Sequence, residues 1–488
     1  MSLSLSSVKR IAIIGGGISG LAAAHRLIEL SKIKQQPIHL TLLEASGQLG
    51  GTIQTDERDG FLIERGPDSF ISEKPEALAL INRLGLELKL IQTNGQHRRS
   101  FIVRKGHLTP VPEGFQLLAP SRFWPFMTTA IFSLPGKLRI AADLLLPRKS
   151  TNGLEDESLA SFVRRRLGRE ALERMAQPMV GGIYTADPEV LSLRATLPRF
   201  LEMERAHRSL ILGMWRQSRS ANNQTGVSGA RYSLFLSFDK GMGVLVEALE
   251  KKIADCRLPI ADFVRADVRL NTKVSSLRQA SAENSVWTVV LEDGGTIEAD
   301  SVCLAVPSYV ASSLLQNAAP KLSSHLTQIN FASTATINFG FRRSDIGHEL
   351  DGFGFVVPFI EKRSLIACTF SSVKFPGRAP QDRVLLRAFV GGALQPEMLE
   401  LDDEEIVNRV ESDLRQLLGV TGKPLFVEVS RWTNAMPQYE VGHLNRVSNI
   451  DLLVAQLPGL ALAGNSYRGA GIPDCIKSGE QTAEALMK

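Results

Sequence analysis

Residues 8 to 52 limit what this chain can fold into more tightly than any other stretch. Val8 to Ile14 is a short, mostly apolar, β-branched run of the kind that makes a buried parallel strand. It breaks into Gly15-Gly16-Gly17-Ile18-Ser19-Gly20, and the helical pattern Leu21 to Leu30 follows. In such a turn Gly15 allows the tight bend, Gly17 lets the backbone approach a pyrophosphate, and Gly20 lets the helix pack on the strand, while helix N–H groups face the phosphates. A second strand, His39 to Leu43, then delivers Glu44 at a spacing that suits the 2′-hydroxyl of an adenosine ribose. A lone glycine motif is weak evidence. Strand before, helix after and an acid at the end of the next strand together point to dinucleotide binding.

Gly50-Gly51-Thr52 follows a few residues after Glu44 and Ala45. A glycine pair gives an open turn where a side chain would collide with bound cofactor. The arrangement resembles the long FAD fingerprint of the amine-oxidase-like flavoproteins, so the expected dinucleotide is FAD rather than NAD.

At 488 residues the chain is too long for one core and should form two or three lobes. Hydrophobic residues at 44% and charged residues at 22% describe a globular composition without wholesale disorder. The net charge of +5 favours anionic ligands or an anionic membrane face, but no basic run with interleaved aromatics suggests a nucleic-acid partner. Cys256, Cys303, Cys368 and Cys475 are scattered without a C-x-x-C pair or a histidine at ligand spacing, so neither a disulfide framework nor a metal site is expected. The first strand is entered by Val8, which leaves no room for an apolar signal segment, and a cytoplasmic location is expected.

The texture then alternates along the chain. A short strand runs into the turn Gly66-Pro67-Asp68-Ser69, and a helix over Pro75 to Leu84 stops at Gly85. Residues 98 to 112 alternate into a hairpin around Lys105-Gly106 bearing Arg98, Arg99, Arg104 and Lys105. That cluster suits ligand carboxylates or, equally, a solvated edge. Residues 115 to 150 mix Phe, Trp, Leu and Met with basic residues, and Pro125, Pro135 and Gly136 cut them into pieces too short to span a bilayer. Such pieces suit a membrane surface, a substrate-tunnel wall or the face of a homodimer. Leu159 to Met175 reads as a helix with a basic face. Gln177 to Pro188, with Gly181 and Gly182, reads as a loop open to a ligand. Polar residues 216 to 230 read as a mobile loop.

Strands at Phe235 to Asp239, around Val274 and at Ser301 to Val306 return to the opening texture. Runs at Ala335 to Phe341, Phe353 to Pro358, Leu365 to Phe370 and Val384 to Val390 predict an antiparallel sheet, covered by a helix over Asp403 to Leu418. Phe353, Phe355, Val356, Phe370 and Phe389 on that sheet suit the wall of a flat macrocycle or an ordinary core. Strand, glycine turn and helix recur at Leu460 to Gly464, Gly469-Ala470-Gly471 and a helix starting near Pro473, whose positive end suits the ring of a reduced flavin.

The segments ERGPDSF (64 to 70), GGIYTADPEVLSLRATLP (181 to 198), HRSLI (207 to 211), MPQYEVGH (436 to 443) and GAGIPDCIKSGE (469 to 480) carry a more specific signal. Through them the chain resembles, nearly end to end, the FAD-dependent protoporphyrinogen/coproporphyrinogen oxidases of haem biosynthesis. FSLPGKLRIAADLLLP (132 to 147) is similar to the bacterial, Gram-positive type, whose members tend to use coproporphyrinogen.

The resemblance implies an α/β fold with a discontinuous Rossmann-like FAD domain of the p-hydroxybenzoate-hydroxylase kind. That domain would comprise 1–75, 231–310 and 431–488. A mixed α/β substrate lobe would comprise 76–230 and 311–430, with an α-helical, membrane- or substrate-facing domain at about 110–210. The implied reaction removes a hydride from a meso methylene of a porphyrinogen to the flavin, three times over, with O2 taking the electrons. No catalytic side chain is needed beyond non-covalent FAD. The implied FAD contacts are Gly15, Gly16, Gly17, Ile18, Ser19 and Gly20; Glu44, Ala45, Gly51 and Thr52; Gly66, Pro67, Asp68 and Ser69; Val274; Trp432; and Gly471, Ile472 and Pro473. Substrate-side candidates are Lys74, Arg98, Arg99, Gly182, Val356, Thr369 and Phe389. Eukaryotic relatives place an arginine where this chain has Ser100, with Arg99 on the opposite strand face, and plant relatives place a leucine where this chain has Thr369. A flavin amine oxidase or polyene desaturase, and a non-catalytic flavin-stabilised porphyrin carrier, remain as alternatives on the same frame. An amine oxidase calls for an aromatic cage, and the C-terminal turn offers only Tyr467.

Overall fold

The structure is a computed structural model that describes residues 8–149, 156–220, 235–256, 264–279 and 286–488. Lys9–Ile14 lies at the centre of a five-stranded parallel sheet in the order Val264–Arg269, Ile38–Leu43, Lys9–Ile14, Ser301–Leu304, Leu460–Leu462. Ile11, Ala12 and Ile13 are buried on both sheet faces, which is why the strand reads as continuous apolar sequence. On one face the helix Ile18–Lys34 packs against the C-terminal helix Ile472–Leu486. Their closeness depends on Gly479, since a Cβ there would overlap the Ser19 carbonyl oxygen. On the other face lie an antiparallel meander, Val274–Gln279, Trp287–Leu291 and Thr296–Ala299, and the helices Ser308–Leu315 and His443–Val454.

A second sheet of seven strands has the order Phe426–Pro437, Phe331–Arg342, Arg383–Gly391, Ala367–Phe370, Gly354–Val356, Phe101–Arg104, His107–Pro110. All its pairs are antiparallel except Gly354–Val356 with Phe101–Arg104. The helix Asp403–Leu418 covers one face. Its Asp402 side chain accepts from Glu405 N at 2.8 Å, three acids occupy its first turn, and Gly419 ends it at φ 64°. Ile406, Val410, Leu414 and Leu417 recur at helical spacing and bury one stripe against the sheet.

Between the sheets in sequence, residues 115 to 149 and 156 to 220 are largely helical and enclose their own core of Phe115, Phe162 and Phe200 among others. The single basic-faced helix predicted over 159 to 175 is instead Leu159–Arg166, a break at Gly168 (φ 92°), and a further run through Arg169–Ala171 and Leu172–Ala176. Its basic residues divide: Arg164 and Arg169 are exposed, whereas Arg166 turns inward. Arg166 is fully buried, with Nε 2.7 Å from Asp143 Oδ1 and its other nitrogens on the carbonyls of Asp143, Pro147 and Arg208. Ser209 Oγ completes the Asp143 carboxylate at 2.6 Å. Periodicity places a residue on a face, but only packing reveals that a buried partner waits there. Of the predicted mobile loop, 216–220 ends the helix Leu210–Ser220, and 221–230 lies outside the described residues. Among the described residues no helix is long and apolar enough to cross a membrane.

Candidate functional site

The opening strand runs straight into the cradle. Gly15 adopts φ 104°, and a Cβ there would overlap the Ala305 carbonyl oxygen. At Gly20 a Cβ would overlap the Gly15 carbonyl oxygen. Gly17 differs from both, because a Cβ there would meet nothing within 4 Å. The first helix therefore begins at Ile18 behind an open space into which its unbonded N–H groups can donate. Glu44 holds this turn: Oε2 accepts from Gly16 N at 2.7 Å and Oε1 from Ser46 N at 2.8 Å. Gly50 N donates to Gly16 O at 2.9 Å, and Gly51 packs its backbone beside Gly17. A strand, an open glycine at a helix start and an acid bound to the same turn fit a dinucleotide pyrophosphate and ribose.

Next to this cradle a cavity of about 500 Å³ lies between the glycine-rich unit and the seven-stranded sheet. Thr52, Gly66, Pro67, Asp68, Ser69, Trp432, Asn465 and Ala470 line one end, and Met179, Gly182, Ile183, Phe353, Phe355, Val356, Thr369 and Phe389 line the other. The turn 66 to 69 is gripped by the large sheet. Thr336 Oγ1 and Trp432 Nε1 donate to Arg65 O at 2.8 and 3.1 Å, Arg387 Nη2 donates to Gly66 O, and Lys374 Nζ reaches both Asp68 oxygens at 2.9 and 2.8 Å. Gly66 admits no side chain, since its Cβ would overlap the Thr52 carbonyl oxygen. Burial would push the Asp68 carboxyl up. The charges of Lys374 and Arg387, with hydrogen bonds from Lys374 and Ser69, override burial and hold it below the usual carboxylate range. Asp68 is thus an ionised anchor for the turn and a poor proton acceptor.

The C-terminal wall is bolted from behind. His443 Nε2 donates to Tyr467 O at 2.8 Å and its ring stacks on Tyr439 at 4.2 Å, while the Tyr439 hydroxyl donates to Asn465 O and accepts from Gly469 N at 2.9 Å. Gly471 caps the helix Ile472–Leu486, whose N-terminus follows the cavity-lining Ala470. Val274 opens the edge strand of the meander at a β-bulge, with its side chain buried.

The basic residues expected near a ligand's carboxylates lie elsewhere. Arg98 and Arg99 precede the strand Phe101–Arg104 in non-strand backbone, and Arg99 pairs with Asp351 at 3.0 Å. Lys74 pairs with Asp474 at 2.6 Å, its side chain 49% exposed. None of the three lines the cavity, although Ser100 does. The expected hairpin begins at Phe101, so strand alternation does not extend back to Arg98, Arg99 and Ser100. Phe370 also turns away into the core beneath the sheet, where Phe355 packs edge-on at 6.1 Å. Gly182 reaches the cavity from a helix, Gln177–Tyr184, rather than the predicted loop, because the preceding turns continue through Pro178 into it. Arg387 carried no sequence signal beyond an isolated cation in a strand-like run, and Lys374 ends the short helix Ser371–Lys374 just past another such run.

The model of the family described as flavin containing amine oxidoreductase matches residues 18–487. The coproporphyrinogen III oxidase of Bacillus subtilis is 38% identical over 473 residues, covering 97% of this chain and 96% of its own. The mitochondrial protoporphyrinogen oxidase of Nicotiana tabacum is 29% identical over 505 residues, covering 99% of this chain and 95% of its own. A crystal structure carrying a provisional protoporphyrinogen oxidase name, from Exiguobacterium sp. 255-15, superposes with a TM-score of 0.83 at 33% identity and covers 99% of each chain.

Proposed function

The chain belongs to the flavin-containing amine oxidoreductase family and is an FAD-dependent porphyrinogen oxidase of haem biosynthesis, and we propose that its substrate is coproporphyrinogen III. The higher identity to the Bacillus coproporphyrinogen III oxidase than to the tobacco enzyme supports that choice. The observation that carries the reading is the cavity. One end is the turn 66 to 69 beside the dinucleotide cradle, and the other is an aromatic and aliphatic wall with room for a large flat ligand.

We assign Gly15 to Gly20, Glu44, Ala45, Gly51 and Thr52 to the pyrophosphate and adenosine of FAD, Val274 to its adenine, and Gly66 to Ser69, Trp432 and Gly471 to Pro473 to its ring end. When bound, FAD would supply the redox chemistry that removes hydride equivalents from the porphyrinogen and delivers the electrons to O2. The protein orients and desolvates. Val356 and Phe389 flank the macrocycle, Thr369 and Gly182 complete the substrate wall, and the anchored 66-to-69 turn fixes the distance between the two ends.

The domain division we adopt is 1–75, 231–310 and 431–488 for FAD, with 76–230 and 311–430 for substrate. Trp124, Leu134, Leu138 and Leu145 are 75%, 66%, 65% and 81% exposed on the helical region, beside Arg122, Lys137 and Arg148. We assign this face to peripheral contact with an anionic membrane on its cytoplasmic side. Flotation with anionic vesicles tests it, and a second copy held by the same face would show instead as a dimer in gel filtration.

Turnover of coproporphyrinogen III and protoporphyrinogen IX by the FAD-loaded protein in air, read as growth of the Soret band, tests the substrate. Faster oxidation of coproporphyrinogen is expected, and faster oxidation of protoporphyrinogen would reverse the assignment. Anaerobic addition of porphyrinogen should bleach the flavin absorbance, whereas a carrier would leave it unchanged.

A further inference from the structure

Among the described residues three charged side chains line the main cavity: Asp68, Lys374 and Arg387. Lys374 and Asp68 cancel, since Nζ bonds both carboxylate oxygens. Arg387 is only 5% exposed and has no ion pair among the described residues. Its Nη2 donates to the Gly66 carbonyl, its Nε is buried without a hydrogen-bond partner, and its guanidinium lies 4.8 Å over the ring of Phe389. Thr369 stands directly opposite Arg387 on the neighbouring strand, on the same sheet face, and lines the same cavity. Asp68, already bonded to Lys374, offsets this charge only through space, so a buried guanidinium with an unpartnered Nε is costly until a ligand anion completes it. Its planar fork matches a carboxylate, which a lysine already committed to Asp68 does not.

We propose that Arg387 receives a carboxylate of the macrocyclic substrate and is a specificity-determining residue for acidic porphyrinogens. The assignment rests on the porphyrinogen reading above. It places the anion next to Phe389, so that one strand supplies both the apolar contact for the ring and the cation for its substituent.

The test uses the FAD-loaded protein and two air-stable probes, coproporphyrin III and its tetramethyl ester, with binding followed by porphyrin fluorescence. Loss of a charge-assisted hydrogen bond in Arg387→Met should weaken the free acid about 10- to 150-fold and leave the ester within about twofold. Arg387→Lys should recover part of that loss for the acid. Equal weakening of acid and ester would make Arg387 a packing residue and overturn the proposal. So would unchanged acid binding accompanied by a lower flavin reduction potential, which would assign the charge to the cofactor. Should Arg387→Met fail to fold, the wild type still decides, because an ester bound as tightly as the acid refutes a buried carboxylate contact. A wild type that oxidises no porphyrinogen sinks the functional reading itself. One that oxidises coproporphyrinogen without dependence on Arg387 sinks only this inference.

Discussion

Lys374→Met removes the cation that holds Asp68 while keeping most of the apolar stem. In the native protein Nζ lies 2.9 and 2.8 Å from the Asp68 oxygens and 3.2 Å from Ser69 Oγ, with the two side chains 11% and 17% exposed. Taking one partner from a fully buried pair costs about 3–5 kcal/mol. Here both side chains keep some exposure and Arg387 stays near as a second cation, so the expected loss is about 2–3 kcal/mol. Urea unfolding at pH 7, with FAD at one concentration throughout, measures it. Asp68→Asn in the Lys374→Met background should restore part of the stability, giving a coupling of roughly 1–2 kcal/mol in the double-mutant cycle. The pH sign follows from the depressed Asp68 carboxyl. Its contribution is complete above the unfolded value near ~4 and is lost as pH falls through the lower folded value, so wild type and variant converge only in strong acid. An additive cycle, or a Lys374→Met protein as stable as wild type at pH 7, would refute this account of the turn.

Gly17→Val should fold yet purify without its yellow colour, because the new side chain starts in the open space before the helix, where its Cβ meets no protein atom within 4 Å. A loss of FAD affinity of at least ~10-fold is expected, and normal FAD content would remove the cradle assignment. Gly20→Ala, by contrast, should impair folding itself, since its Cβ would overlap the Gly15 carbonyl. Burial first, aided by Arg446 and Arg468 and opposed by the Tyr467 carbonyl and Asp156, pushes His443 down to about 4. Its contribution to stability is complete above the unfolded value near ~6.5 and is lost as pH falls to about 4, up to roughly 3 kcal/mol. Urea midpoints at pH 7 and 5 should therefore differ less for His443→Gln than for wild type. Equal pH slopes in the two proteins would exclude His443 as the source.

Local chemistry determined a large part of this protein. A β-branched run, glycines at set offsets and an acid after the next strand specify the strand, turn and helix of residues 9 to 34 because each signal acts over a few residues of backbone. The helix Pro75–Leu84 and the helix Asp403–Leu418, with Gly85 and Gly419 closing them, are legible for the same reason. Four strands of the parallel sheet were legible one by one, whereas Val264–Arg269, only half buried at the sheet edge, was not foreseen. The strand order, which sets 264–269 and 460–462 at opposite edges, depends on pairing across hundreds of residues.

Charge was the least legible property. The sequence presents Lys74, Arg98 and Arg99 as conspicuous cations near the expected site, yet folding pairs Lys74 with Asp474 and Arg99 with Asp351 outside the cavity. Lys374 and Arg387, each unremarkable in its own segment, become the cavity's cations because the large sheet closes over the turn 66 to 69. A side chain's electrostatic role depends on which partner reaches it first and on how much water remains, and both are properties of tertiary packing rather than of sequence neighbours.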